Sequence, residues 1–142
     1  MKKKNIILTI VLIVCVGLLA GAVYLFNDIY PKAKPIRHPE PDEIVSVTLS
    51  CNNTDTTIPM SEQYYEDLIR YISEAKPTRK LALDDYPTTR RYYCVDVETE
   101  EFQYRYFVYL AGEQVYIEMP YEGIYESKIE LFDLVLKYFE EG

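Results

Sequence analysis

The sequence predicts an α+β protein: an N-terminal transmembrane helix, then a small β-α-β-β-β-α domain with an antiparallel sheet covered by helices. Three observations carry this. Ile6–Phe26 contains no charged side chain. Four later runs alternate apolar and polar residues with period two, and two others repeat apolar residues at spacings of three and four. At 1.5 Å per residue the first run reaches about 30 Å, the thickness of a bilayer's hydrocarbon core.

Lys2, Lys3 and Lys4 precede the apolar run. This charge bias predicts a single-pass signal anchor over residues 1–26 in the cell membrane, N-terminus cytoplasmic and C-terminal domain extracytoplasmic. Two other readings stay open. Ala20-Gly21-Ala22 offers a small-x-small site for cleavage after Ala22, although Val23–Phe26 carries the apolar run past it. A lipoprotein signal would use Cys15, but Leu12, Ile13 and Val14 stand where small residues are wanted. Gly17 and Gly21 form a G-x-x-x-G pair, a close-packing face for a second membrane helix.

Residues 27–42 read as a spacer. Pro31, Pro35, Pro39 and Pro41 exclude a helix and favour extended backbone, which at about 3.1 Å per residue holds a domain a few tens of Å away. The only histidine, His38, falls here.

The domain is placed at residues 43–142. In Glu43–Cys51 the residues Val45, Val47, Leu49 and Cys51 alternate with Ser46, Thr48 and Ser50, a half-buried strand. Pro59–Ala75 is the first soluble helix, with Ser61 as N-cap and Tyr65, Leu68, Ile69 and Ile72 on one stripe. Lys76–Arg91 lacks periodicity and reads as a loop. Three strands follow, over Arg91–Glu98, Phe102–Leu110 and Gln114–Met119, with tight turns at Thr99-Glu100 and Ala111-Gly112-Glu113. Pro120 ends the sheet, and Gly123 supplies a bend. Ser127–Glu141 is the last helix, with Ser127 and Glu130 spaced as a capping box. Strand parity puts Cys51 and Cys94 on opposite faces, against a disulfide between them.

Five of the 15 basic residues and one of the 23 acidic ones precede Arg37, leaving ten against 22 and a formal charge of −12 beyond it. Such a surface repels phosphate backbones, so no nucleic-acid partner is expected. Thirteen of the 15 tyrosines follow Arg37, suited to edging a core with their hydroxyls toward water or a partner.

The residue sets of common chemistries are missing. Serine or cysteine nucleophiles want a nearby base, usually histidine. No Cys/His spacing fits zinc, no acidic run fits calcium and no glycine loop fits phosphate. Catalytic residues, metal and cofactor are therefore all read as none. The carboxylate pairs Asp84/Asp85 and Glu118/Glu122 leave only a carboxylate-dependent envelope hydrolase as an enzymatic alternative.

Tyr116-Ile117-Glu118-Met119-Pro120-Tyr121-Glu122-Gly123-Ile124-Tyr125, supported by Lys76-Pro77-Thr78, Asp85 and Pro87, resembles a family of uncharacterised bacterial domains, domain of unknown function 5301. The resemblance spans about Glu43–Phe139. It implies a setting behind an N-terminal membrane or lipoprotein signal in Gram-positive bacteria, and no activity or catalytic residues. It also implies that the loop around Asp85 and the turn at Gly123 belong to one design.

The expected function is a membrane-anchored, non-catalytic binding module for a protein or peptide outside the cell. Its contact residues are Arg79, Lys80, Asp85, Arg90, Arg91, Tyr121, Gly123 and Tyr125. The alternative is a sensor ectodomain acting on a membrane partner through the Gly17/Gly21 face.

Overall fold

The computed structural model describes residues 2–140, which separate after Lys32 into two compact units. The first is helix α1, Lys2–Ile29. With a mean hydropathy of 3.0 over its best window, it is long and apolar enough for a membrane anchor or a signal sequence.

The second unit is an antiparallel seven-stranded sheet with two helices. Its strands are β1 (Ile44–Cys51), β2 (Thr57–Pro59), β3 (Lys76–Pro77), β4 (Tyr93–Thr99), β5 (Gln103–Ala111), β6 (Gln114–Met119) and β7 (Gly123–Ser127). Their spatial order is β2-β1-β4-β5-β6-β7-β3. The helices are α2 (Tyr65–Ser73) and α3 (Ile129–Glu140). The α+β class and the alternation in the four long strands stand as predicted. Both sheet edges are short and carry a proline, Pro59 or Pro77, which blunts them against further pairing.

Helices cover one face only. Val47, Leu49, Val95, Val97, Val108 and Ile117 point from the sheet into a core closed by Leu68 and Ile72 of α2 and by Leu131 and Val135 of α3. Leu68, Ile72 and Leu131 are fully buried, each contributing about 1.5–3 kcal/mol by leaving water. Tyr93 joins this core, edge-on to Phe132 at 5.7 Å and tilted against Phe139 at 5.0 Å. Cys51 faces it too, while Cys94 points the other way; both thiols are free.

Several boundaries move. The proline-bearing stretch is no spacer beyond Lys32: Ala33 N–H donates to Thr78 C=O at 2.9 Å, Ile36 is buried, and Tyr106 hydroxyl donates to Arg37 C=O at 2.7 Å. Prolines exclude a helix but not docking of an extended segment, and here the apolar residues between them dock. The folded domain therefore begins at Ala33, not Glu43. The helix expected from Pro59 starts later, because Thr57–Pro59 pairs with β1 and Glu62–Tyr64 forms a 3-10 turn. Ser61 heads that turn without a side-chain bond. The Ser127 capping box does not form: Ser127 closes β7, its hydroxyl buried and without a hydrogen-bond partner among the described residues.

The sheet also continues past Pro120. Tyr121, not Gly123, takes the left-handed conformation, with φ of 62°. Gly123 opens β7 opposite Met119. Gly112 turns the β5–β6 hairpin with φ of 65°, as its position predicts.

Candidate functional site: the loop-covered face

The second sheet face is covered by the aperiodic segment 78–91. Thr78 starts it by donating its N–H (3.0 Å) and hydroxyl (2.7 Å) to Ile124 C=O. Further on, Tyr121 N–H donates to Ala82 C=O at 2.9 Å, tying the loop to the β6–β7 turn. Ala82 is thereby pressed into a small cluster with Tyr109, Tyr116 and Ile124, the outward residues of β5, β6 and β7. The loop's other anchors are aromatic and ionic. Lys80 Nζ lies 3.9 Å from the centre of the Tyr116 ring, within cation–π range. Tyr86 packs on Phe107 at 5.8 Å, and Tyr121 hydroxyl donates to Asp85 at 2.7 Å.

Beneath the loop lies Glu118, the one buried charged residue among those described, accepting a 3.2 Å hydrogen bond from Tyr109 hydroxyl. Burial pushes its carboxyl above the usual range; Asp84 adds to the rise, and the Tyr109 bond opposes it. Nearby on the same face, burial pushes the Cys94 thiol up to about 12, which leaves no thiolate for nucleophilic work. Glu122, paired with Glu118 in the sequence, is instead tied to Arg37.

What remains on the surface of the loop and the adjoining turn is apolar residues with charges of both signs, Asp84 and Asp85 among them. Leu81, Leu83, Tyr86 and Tyr121 are each more than half exposed, Leu83 at 67%. Of the residues expected to form a contact surface, Asp85 and Tyr121 are bonded to each other here and Lys80 lies on the same face over Tyr116, with Arg79 next in sequence. Arg90 and Arg91 do not join them. Arg90 C=O accepts from Asn52 beside the β1–β2 turn, and Arg91 lies 5.4 Å from the Tyr93 ring on the other face. Tyr125 is buried in the helix-covered core, and Gly123 is buried behind Ala33.

Sequence reasoning named Glu118 only as half of a carboxylate pair with Glu122 and missed its burial, and it missed Arg37 and Arg105 as site residues altogether. Glu118 sits at an outward strand position, where a charge is ordinary. Only an aperiodic loop lying over it makes it unusual, and periodicity cannot place such a loop. Arg105 holds Asp96 bidentately across the β4–β5 ladder at 2.7 and 3.0 Å, a pairing visible once the register is known.

These features define a class: an antiparallel α+β domain with one helix-covered and one loop-covered face, behind an N-terminal apolar helix. The chain belongs to the family domain of unknown function 5301, described as "Domain of unknown function (DUF5300)", whose model matches residues 32–126. That match begins where the fold begins and stops before α3. The protein is also similar to a solved structure titled "NMR structure of the protein from Ruminococcus gnavus". The two share 24% identity over 64% of this protein and 89% of that one, with a TM-score of 0.54. That likeness concerns the fold alone. No curated protein matches.

Proposed function

We propose that the protein is a membrane-anchored, extracytoplasmic binding module that holds a protein or peptide partner on the loop 78–91. One observation carries the reading: Leu81, Leu83 and Tyr86 stand exposed on a loop fixed by backbone bonds at Thr78 and Ala82, with Tyr121 exposed on the turn it is bonded to. Apolar side chains left exposed on a pinned loop are a feature of interaction sites. Lys80 and Arg79 on one side of Leu81 and Leu83, and Asp84 and Asp85 on the other, give the loop charges of both signs for a partner to meet. The apolar helix α1, with its basic start, supports the anchor and the outward orientation.

Photo-crosslinking in the producing cell tests it. A benzophenone group at Leu83 should give discrete adducts, and one at Glu113, on the β5–β6 turn, should not. Absence of adducts at Leu83, or equal labelling at Glu113, would refute a loop-borne partner.

A further inference from the structure

Strand β5 is longer than the neighbour on its β6 side. Residues from Gln103 onward pair with β4, but the ladder with β6 begins only at Phe107. Hydrogen-bond alternation identifies the groups left over. At the mouth of the β4–β5 hairpin Thr99 N–H donates to Phe102 C=O at 2.9 Å. Tyr104 and Tyr106 then direct their peptide groups toward β4, and Gln103 and Arg105 direct theirs away. The other hairpin gives the same result. Ala111 and Gln114 close its two-residue loop, and steps of two back along β5 reach Phe107, Arg105 and Gln103.

The reason for the gap is Pro120. Continuing the register beyond Phe107↔Glu118 would set Arg105 opposite Pro120, which has no N–H to give the Arg105 carbonyl. Tyr121 then turns the backbone into β7. The open edge faces a cleft of about 360 Å3, lined among others by Arg37, Phe102, Arg105, Met119 and Glu122. Two guanidinium groups are fixed there, Arg105 by Asp96 and Arg37 by Glu122. A bidentate pair uses two of arginine's five donors and leaves the rest for a ligand. In both pairs the cation is the more exposed member, 69% against 32% for Arg37 and Glu122, and 49% against 20% for Arg105 and Asp96. The mouth of the cleft thus presents guanidinium surface ahead of the carboxylates that pair with it.

We infer that this cleft binds an extended polypeptide segment bearing a carboxylate. The segment adds to β5 as a short strand, bonding the peptide groups of Gln103 and Arg105, while its carboxylate meets Arg37 and Arg105. The free edge is about 10 Å long at 3.3 Å per residue, room for one short segment between the Pro120 turn and Phe102. The carboxylate belongs to a polypeptide's C-terminus or to an Asp or Glu side chain. The site goes beyond the loop surface and needs neither the loop contact nor the membrane anchor to be right.

The test uses the full-length protein in detergent micelles. Random heptapeptides are selected on it in two display formats, one with a free C-terminus and one embedded in a longer polypeptide. Amide hydrogen exchange is then followed by NMR with the selected peptides. Bound peptide should slow exchange at Gln103 and Arg105 and leave Tyr104, already in the β4 ladder, unchanged. Enrichment only with free C-termini assigns the carboxylate to a terminus, and enrichment in both formats assigns it to a side chain. Gln103→Pro, which removes an N–H without touching the β4 ladder, should abolish binding. Arg37→Gln should weaken it about tenfold, the loss of one charge-assisted hydrogen bond. No enrichment on the wild-type protein, or peptides that leave both wild-type amides unprotected, would overturn the site whether or not Gln103→Pro folds. Self-association that protects the same amides without peptide would overturn it in favour of a second copy.

Discussion

Gly123→Ala tests the revised start of the domain. A Cβ at Gly123 would fall inside contact distance of Ala33 Cβ and 3.4 Å from Tyr125 hydroxyl. Ala33 cannot simply retreat: its N–H is bonded to Thr78 C=O, and Thr78 N–H is bonded to Ile124 C=O. Overpacking of this kind costs about 1–3 kcal/mol. Replacing glycine also removes unfolded-state freedom, which returns about 0.4–1 kcal/mol. The overlap wins, with a net loss of about 0.5–2 kcal/mol. At about 4 °C per kcal/mol for a domain of this size, Tm should fall by about 2–8 °C. Full-length protein in mild detergent, followed by near-ultraviolet circular dichroism of its tyrosines, reads this directly. The partner substitution sharpens the test: Ala33→Gly in the Gly123→Ala background should restore most of the loss, with a coupling of about 1 kcal/mol. A Gly123→Ala protein that melts with the wild type, or a double variant with no coupling, would return Ala33 to a free spacer.

Glu118→Gln should stabilise the domain at neutral pH. Burial raises the native carboxyl above its unfolded value, so the native state holds the proton more tightly. Stability is then greatest below the unfolded pKa and declines as pH rises toward the native one. Urea midpoints of wild type and variant should converge in acid and separate above the carboxylate range; parallel profiles would contradict a strained carboxylate. Cys94, with its thiol pushed to about 12, holds about one part in ten thousand of thiolate at pH 8. Maleimide should therefore label Cys94 and the buried Cys51 only after unfolding by urea, and native labelling at Cys94 would refute its burial. Gly17 and Gly21 have nothing within 4 Å of an added Cβ. If α1 pairs in the membrane through them, Gly17→Ile with Gly21→Ile should reduce crosslinked oligomers at least several-fold, and unaltered oligomers would remove the sensor alternative.

The parts legible in the sequence were those fixed by local repetition. Val45–Cys51 and Phe102–Leu110 alternate over enough residues to specify a face, and Tyr65–Ile72 specifies a stripe, because side-chain direction repeats with backbone period. The short strands Thr57–Pro59, Lys76–Pro77 and Gly123–Ser127 were not legible. So few residues cannot display a period, and their strand character comes from the neighbour they pair with. The same limit hid the docking of Ala33–Glu43, where Ile36 and Pro39 are buried but too few to display a period. For the candidate site, composition singled out Lys80, Asp85 and Tyr121 because charge and turn chemistry coincide there. It grouped Arg90 and Arg91 with them by proximity in sequence, although the backbone entering β4 has reached the other face by Arg91.

Pro120 shows why a residue that ends one pattern can start a function. As a period-breaker it closes the sheet, and the sequence offers nothing further. In the fold it ends only the β5–β6 ladder, because Tyr121 absorbs the reversal and lets β7 pair back onto β6. The sheet therefore grows by a strand on its far side while losing cover over Gln103 and Arg105. Both true sheet edges are blunted by proline, at Pro59 and Pro77, so a free edge is something this domain otherwise avoids. An internal edge left open, and flanked by two arginines held in place by their own carboxylates, runs against that economy unless something fills it. A Pro120→Val substitution should lengthen β6 by one pair, protect the Arg105 carbonyl side of the edge, and abolish peptide capture at the cleft while leaving adducts at Leu83 intact. Peptide capture that survives Pro120→Val would place recognition in the arginines alone and remove the strand edge from the mechanism.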